Sequence, residues 1–592
     1  MTTNLSEQPT QRLLSDTRLN FWRAVATGSF VVLAAALALF QVLWSDRYVG
    51  LALKNRLRLI RMPPARGQIY DRKGLPLALN VMTFDIMGYP LDLQRDEVKQ
   101  KLLGALQRAR LPHDPEKLER RIKNLYWAPY RAISLVSNLT LLQMTSLMED
   151  PEFPEVLFPL PVWRRTYPAG PLASHVVGYV GEISEQELRS VETDENKSYI
   201  GGDVIGKSGV EKYYEDVLRG SIGERAVEVD ARGRQRRTLN ETMPGIGQDL
   251  TLTLDLSAQS YASDLMKDYN GVMVALDVNN GEVVVMWSNP SYDPNPLAWG
   301  VSGTEWAGLN FDASRPLLNR AISGQYSPGS IFKAVTGYAA LESGVVDKNT
   351  AIHCSGVFRL GSNVYRCWRR GGHGRESFVH ALRDSCDVYF YETSQMVGVK
   401  RYDEVGERFG LGRPLGIDLP GEAAGLLPSP DWKRNAMHQG WFRGDSVNMS
   451  IGQGFVLLTP LQMASVYATI ANGGIFYRPH VLKTAKVEGQ PTGLRQEYLK
   501  LVKAGLRAVV AKGGTGHRAA MSGVEIAGKT GTVQHDHGKD HAVFAGYAPA
   551  SEPRYAVVCF IEGGESGGRV AGPLVGQLLS FLLNENGGTK ER

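Results

Sequence analysis

Polar positions disappear between Ala24 and Trp44. The segment reads AVATGSFVVLAAALALFQVLW, carries no charge, and has Gln41 as its only strongly polar side chain. A run of that length spans a bilayer core as one helix. A buried core helix is the alternative, but Arg23 before it and Asp46 and Arg47 after it bracket it as a membrane segment is bracketed. No small-x-small cleavage site follows, so the pattern predicts an uncleaved anchor. Arg12, Arg18 and Arg23 precede the span, while Arg47, Lys54, Arg56, Arg58 and Arg61 follow it. A strict count of basic residues would leave the C-terminal side in the cytoplasm, yet large domains translocate largely regardless of charge, so the pattern leaves orientation open.

Beyond the anchor the periodicity becomes short and mixed. Pro115–Asn124 predicts a helix with Asp114 as N-cap and Pro115 in its first turn. Glu185–Val191 also reads as helix and Thr83–Met87 as an extended run, with Pro63-Pro64 and the stretch from Pro151 to Pro161 as punctuation. After Pro244-Gly245, the alternation in Asp249–Leu256 predicts a strand. Strand-like Val272–Ala275 and Glu282–Trp287 and the Ala-rich helix Ala334–Leu341 follow. The last residues, Asn584–Arg592, predict a disordered tail. The expected organisation is a cytoplasmic segment 1–23, an anchor 24–44, a mixed domain 45–245, a second domain 246–583 and a tail 584–592.

Composition narrows the function classes. Over 592 residues, 43% are hydrophobic and 21% charged, which argues against disorder, collagen and a multi-span transporter. The formal net charge of +5 gives no nucleic-acid signal. Four cysteines exclude a disulfide-rich scaffold.

The chemistry lies in the second domain. Tyr326–Lys333 reads YSPGSIFK. On a helix opened by Pro328-Gly329, Ser330 and Lys333 share a face. A serine hydroxyl is a poor nucleophile until a base takes its proton, and a neutral lysine one turn away can do so. Such a tetrad alone is common by chance. Ser385-Cys386-Asp387 and Ala527–Thr532 (AGKTGT) follow in order, however, and the three together are the signature of penicillin-binding proteins and class A β-lactamases. Lys529 beside Lys333 is expected to lower the pKa of Lys333. Ser385 can relay a proton to the leaving amine. Thr530 and Thr532 can donate to a substrate carboxylate, and Gly531 would let the substrate backbone lie close to its strand. The N–H groups of Ser330 and Thr532 are candidates for an oxyanion hole.

The chain resembles class B penicillin-binding proteins along almost its whole length after the anchor. The segments that carry the resemblance include Arg66–Asn80 (RGQIYDRKGLPLALN), Arg164–Pro168, His175–Ile183, Gly206–Tyr213, Gly281–Asn295 and Gly452–Gln462. Ser429–Lys433 (SPDWK) and Trp441–Gly444 favour the elongation-type branch of rod-shaped bacteria over the division-type one. The resemblance implies an α+β fold: an α/β sandwich transpeptidase domain on an extended mixed pedestal, with an N-terminal transmembrane helix. It implies a peptidoglycan D,D-transpeptidase whose Ser330 takes the acyl group of a stem peptide and which β-lactams inhibit. It further implies that glycan polymerisation falls to a SEDS-family glycosyltransferase, that other elongation-complex membrane proteins are partners, and that the catalytic domain is periplasmic on the inner membrane. Asp387 departs from the Asn many relatives carry, which puts its contact to the substrate amide in doubt. A β-lactamase, a D,D-carboxypeptidase, a division-type transpeptidase and a β-lactam sensor or structural member are the rival readings.

Cys354, Cys367, His373 and Cys386 crowd between the first two motifs in the pattern C-x12-C-x5-H-x12-C. Cys3His is a familiar zinc set, and elongation-type relatives hold zinc in this region. If the 385–387 triplet is near-extended, Ser385 and Asp387 face the cleft and Cys386 faces away, so a metal would buttress the motif. A Cys354–Cys367 disulfide and buried free thiols are the alternatives. Cys559 reads as core. His535, His537 and His541 read as a solvated loop entering the next strand.

Overall fold

The computed structural model of the protein describes residues 10–45, 57–90, 92–111, 115–116, 118–119, 132–191, 199–229, 235–534 and 538–587. The chain begins with α1 (Thr10–Ala38), which continues into a π-helical turn, Leu39–Leu43. Within it, Thr17–Val42 is long and apolar enough to cross a membrane, and its most apolar stretch is not buried in the protein. The helix thus starts well before the apolar run that predicted it.

The first domain is built on two sheets. Leu57–Met62, Gly223–Val229 and Gln235–Thr242 form an antiparallel three-stranded sheet. In the second, the long strand Pro76–Gly88 pairs antiparallel with Phe158–Thr166 and Ile133–Leu139. Helix Asp96–Arg108 buries Val98, Leu102, Ala105 and Leu106 in a small core with Ile86, Leu135 and Leu147. The extended run at Thr83–Met87 and the helix at Glu185–Val191 are found as expected. Of the helix expected over Pro115–Asn124, only Pro115, Glu116, Leu118 and Glu119 are among the described residues, and they are helical; the rest, with Asp114, lies outside them.

A charge cluster underlies this domain. Glu211, with a fully buried side chain, accepts from Arg66 Nε and Arg165 Nε at 2.6 Å each and from the Tyr167 hydroxyl at 3.3 Å. Arg66 also reaches Glu215 at 2.6 Å. The apparently conventional polar residues of three separated segments therefore meet at one carboxylate.

The strand expected over Asp249–Leu256 is reduced to Leu250–Thr251, which runs parallel to Ile69–Tyr70. Beyond it the chain changes partners, with Thr253 N–H donating to Val481 O and Lys483 N–H to Thr251 O, and Asp255 Oδ1 then accepts from the N–H groups of Ser257 and Ala258, capping α2 (Leu256–Met266). The same junction carries Arg72–Glu282 at 3.0 Å and Lys73 bridging Asp255 and Glu585.

The second domain is organised by one antiparallel sheet of β1 (Gly271–Asp277), β2 (Val283–Asn289), β3 (Ala527–Val533), β4 (His541–Ala548) and β5 (Tyr555–Ile561), in the order β2-β1-β5-β4-β3. β1 and β5 read as near-continuous apolar runs because both faces are covered. Val272, Val274 and Leu276 of β1 face a large core shared with α3 (Lys333–Glu342) and α6 (Pro460–Ala471). Met273 and Ala275 face a second core built with α2 and α8 (Gly572–Gly587). Asn584–Gly587, expected in the tail, form the last turn of α8. β3 is the edge strand, which leaves its outer side to the cleft. Two short helices, α4 (Phe378–Arg383) and α5 (Asp387–Val397), and α7 (Gln496–Val510) complete the α3 side.

Candidate active site

Ser330 sits where a glycine turn feeds a helix. Gly329 takes φ +56°, a conformation that favours glycine, and begins a 3-10 turn, Gly329–Phe332, that continues as α3 from Lys333. The Gly329 N–H donates to Gly452 O at 2.9 Å. A Cβ at Gly329 would lie 2.9 Å from Val533 Cγ2, so the turn is held against β3 by a contact only glycine permits. Ser330 is half-buried and Lys333 fully buried.

The structure brings Lys333, Ser385, Asp387 and Lys529 to one point. Lys333 Nζ donates to Asp387 Oδ1 at 2.6 Å and to the Ser385 carbonyl at 2.9 Å, and lies 3.3 Å from Ser385 Oγ. Lys529 Nζ lies 2.8 Å from the same hydroxyl and 3.1 Å from Thr530 O. Among the described residues no hydrogen bond links Ser330 Oγ to either lysine. The triplet is not extended throughout: Ser385 takes φ +52° and Cys386 is the N-cap of α5. The expected division of faces nevertheless holds, with Ser385 and Asp387 on Lys333 and Cys386 turned to the cysteine cluster.

The two lysines have different partners. Two ammonium groups and one carboxylate share a buried volume, and a second uncompensated charge there is costly. Asp387 pairs with Lys333. Burial, and then the Lys333 charge beside it, push Lys529 well below its ordinary pKa. Among the described residues Lys529 has no carboxylate at hydrogen-bond distance, whereas Lys333 has Asp387. Asp387 Oδ2 accepts the backbone N–H of Trp368 at 3.0 Å, so both carboxylate oxygens are engaged inside the protein.

On β3 the side chains alternate. Lys529 points to the α3 side. Thr530 is buried and its hydroxyl donates to Thr515 Oγ1 at 3.2 Å, which in turn donates to Arg383 O at 3.1 Å. Thr532 is exposed and free to meet a ligand. Gly531 has a nearer reason to be glycine than a substrate: a Cβ there would lie 2.6 Å from Val543 Cγ1 and 3.3 Å from Pro328 O. It lets β3 close on the serine turn. Thr515 and Trp368 escaped the sequence reading; for Thr515 the Gly513-Gly514-Thr515-Gly516 turn was the available signal, while the Trp368 contact runs through its backbone and leaves none.

Behind the Ser385 loop, Cys354, Cys367, His373 and Cys386 converge. Their ligand atoms all lie within 4.8 Å of one another, and His373 Nδ1 is 3.6 Å from Cys354 Sγ and 3.5 Å from Cys367 Sγ. All four cysteines of the chain are free thiols, so the alternative Cys354–Cys367 disulfide is not formed. A hydrogen bond from Cys386 pulls the Cys367 thiol below its ordinary pKa, while the same contact and burial push the Cys386 thiol up. Three soft donors and an imidazole in this spacing fit a tetrahedral divalent ion. Cys367 precedes Trp368 and Cys386 precedes Asp387, so the cluster holds both partners of the Trp368–Asp387 hydrogen bond. Cys559 is buried in the sheet core. His541 opens β4 and accepts from Gly563 N–H at 3.0 Å, whereas His535 and His537 lie outside the described residues.

A half-buried serine at a helix start, a second hydroxyl shared by two buried amines, and an exposed edge-strand threonine form an arrangement suited to acyl transfer. Comparisons with known proteins agree. The model of the penicillin binding protein transpeptidase domain matches residues 271–580, and that of the penicillin-binding protein dimerisation domain matches residues 61–252. The peptidoglycan D,D-transpeptidase MrdA of Acinetobacter baumannii is 35% identical over 91% of this chain and 84% of its own. MrdA of Escherichia coli K12 is 34% identical over 93% and 91%. Among solved structures, PBP2 of Helicobacter pylori in complex with MreC superposes with a TM-score of 0.81 at 30% identity, over 89% of this chain and 99% of that one. PBP2 of Pseudomonas aeruginosa in complex with WCK 5153 gives 0.67 at 31%, over 90% and 98%.

Proposed function

The chain belongs to the penicillin-binding protein transpeptidases, in the elongation-type D,D-transpeptidase branch, and from that premise we propose that Ser330 is the serine acylated during peptidoglycan cross-linking. Ser330 Oγ attacks the penultimate D-Ala carbonyl of a donor stem peptide. The new C–O bond forms as the C–N bond to the terminal D-Ala breaks. An amine of a neighbouring stem then attacks the ester, forming the cross-link and releasing Ser330. Ser385 Oγ, shared by two amines, relays the serine proton to the neutral one, Lys529, and later to the leaving D-Ala amine. Lys333, paired with Asp387, fixes Ser385 through its carbonyl and hydroxyl. Thr532 receives the substrate carboxylate, and the Ser330 and Thr532 N–H groups receive the oxyanion. Thr530 holds β3 through Thr515, and Gly531 keeps β3 close to the serine turn.

The observation that carries this reading is the delivery of Lys333, Ser385 and Lys529, from three distant segments, to one hydroxyl. Mass spectrometry after penicillin treatment should find the adduct on Ser330, and Ser330→Ala should lose labelling while melting as the parent does. An adduct on another residue of the folded protein sinks the assignment.

Cys354, Cys367, His373 and Cys386 are assigned as the ligands of one zinc ion, which would supply a structural tether for the Ser385–Asp387 loop and no catalytic chemistry. The support is the convergence of four donor atoms, with His373 Nδ1 facing the sulfurs of Cys354 and Cys367. The pedestal (45–245) and transpeptidase domain (246–583) lie on the periplasmic side of the inner membrane, with residues 1–23 in the cytoplasm, because stem peptides are cross-linked only outside that membrane. The pedestal meets elongation-complex membrane proteins, as PBP2 of Helicobacter pylori meets MreC. Glycan polymerisation falls to a SEDS-family glycosyltransferase; failure of the anchored chain to co-purify with one would remove that partner.

A further inference from the structure

The catalytic turn is reached through a long irregular stretch, residues 311–328, and such a stretch needs tertiary contacts to hold one conformation. The contacts that fix it converge on one carboxylate. Glu562 directly follows β5, and its Oε1 accepts from the Tyr326 hydroxyl at 2.8 Å and from Arg320 Nε at 3.0 Å. Arg320 has a side chain only 2% exposed, and its other guanidinium nitrogens donate to Ser314 O at 2.6 Å and Arg315 O at 3.1 Å. Arg315 takes φ +51°, a strained value for a residue with a Cβ. The Tyr326 ring lies 4.2 Å from that of Phe560 on β5, and its backbone exchanges hydrogen bonds with Leu458. Tyr326 stands four residues before Ser330.

The sheet end of this clamp is tied to the strand that faces Ser330. Glu562 N–H donates to Asn270 O, next to β1. Gly563 N–H donates to Nδ1 of His541, the β4 residue paired with Val533 of β3. Val533 is the residue that Gly329 packs against. A closed path therefore runs from the serine turn through Tyr326, Glu562, β4 and β3 back to the serine turn.

We propose that Glu562, acting through Tyr326 and Arg320, is a positioning residue that sets the gap between Ser330 and Thr532, and hence the geometry in which the attacked carbonyl is held. It touches neither substrate nor the reacting atoms. A misplacement of about an ångström from such a change costs up to ~100-fold in rate. The proposal rests on Ser330 being the acylated residue.

The test uses the full chain in detergent and a fluorescent penicillin, with acylation split into initial binding and the first-order acylation step. Glu562→Gln weakens both contacts at the oxygen that accepts from Tyr326 and from Arg320, and Tyr326→Phe keeps the ring and removes the hydroxyl. Each should slow the acylation step about tenfold, within the range that such misplacement allows, with initial binding within about twofold of the parent. The double variant should be no slower than the worse single, because both act through one carboxylate. Acylation steps within twofold of the parent in both singles would overturn the proposal, as would losses that multiply in the double or that fall equally on binding. Should Glu562→Gln fail to fold, Tyr326→Phe decides alone. Mapping the parent adduct separates the two ideas: an adduct away from Ser330 defeats the active-site assignment, whereas an adduct on Ser330 with undisturbed variants defeats only the clamp.

Discussion

Glu211→Gln tests how far the pedestal depends on one buried carboxylate. In the parent, Glu211 is fully buried and faces Arg66 and Arg165, whose side chains are 10% and 2% exposed. The amide keeps the shape but leaves the buried Arg165 guanidinium without its counter-charge, while Arg66 keeps Glu215. Breaking a buried pair by removing one partner costs about 3–5 kcal/mol. For a unit of roughly 150–250 residues, each kcal/mol moves the melting temperature by about 2–4 °C. The pedestal transition of the variant should therefore fall by roughly 6–20 °C at neutral pH, read by calorimetry on the purified full chain. The pH dependence gives a second reading of the same group. Burial pushes the Glu211 carboxyl up, but the Arg165 and Arg66 charges together pull it below its ordinary value of 4.5. A folded-state pKa below the unfolded one means that its stabilisation is complete above the unfolded value and is lost as pH falls through the folded one. The gap between parent and variant should thus be widest at neutral pH and shrink on acidification below about 4.5. A variant that melts within 2 °C of the parent at neutral pH, or a gap that stays constant into strong acid, would refute the argument.

Two further outcomes follow from the proposed metal and topology. Chelation should lower the melting temperature of the transpeptidase domain and slow Ser330 acylation, Cys386→Ser should do the same more severely than Cys559→Ser, and elemental analysis showing no stoichiometric metal would dismiss the zinc. A reporter enzyme active only after export, fused after the last residue, should be active; a stable but inactive fusion would contradict a periplasmic catalytic domain.

Much of the site was legible because catalysis constrains residue types at short spacing. Ser330 and Lys333, Ser385 and Asp387, and Lys529 to Thr532 each announce themselves within four residues. The cysteine cluster was legible for a related reason, since thiols and imidazole are rare in this chain and three of four cysteines fall together. The anchor and the strands of the central sheet were also readable, because a segment surrounded by lipid or covered on both faces must be apolar along its whole length. The expected strand from Asp249 was cut short where the chain exchanges backbone hydrogen bonds with the distant segment 481–483, a tertiary contact that alternation cannot show.

What sequence alone determined, then, was which candidate residues the fold would bring together, and that the chain has an N-terminal apolar helix long enough to cross a membrane. Only the tertiary structure decided how charge is shared among them. Spacing cannot show that Asp387 lies on Lys333 and leaves Lys529 without a carboxylate, because that depends on three segments separated by some 50 to 140 residues meeting in a volume with room for one ion pair. Nor can spacing reveal Glu211 or Glu562 as points of convergence, since each contact made there joins residues far apart in the chain and is selected by burial. A short motif specifies a functional group; the protonation state and position of that group are properties of the whole folded environment around it.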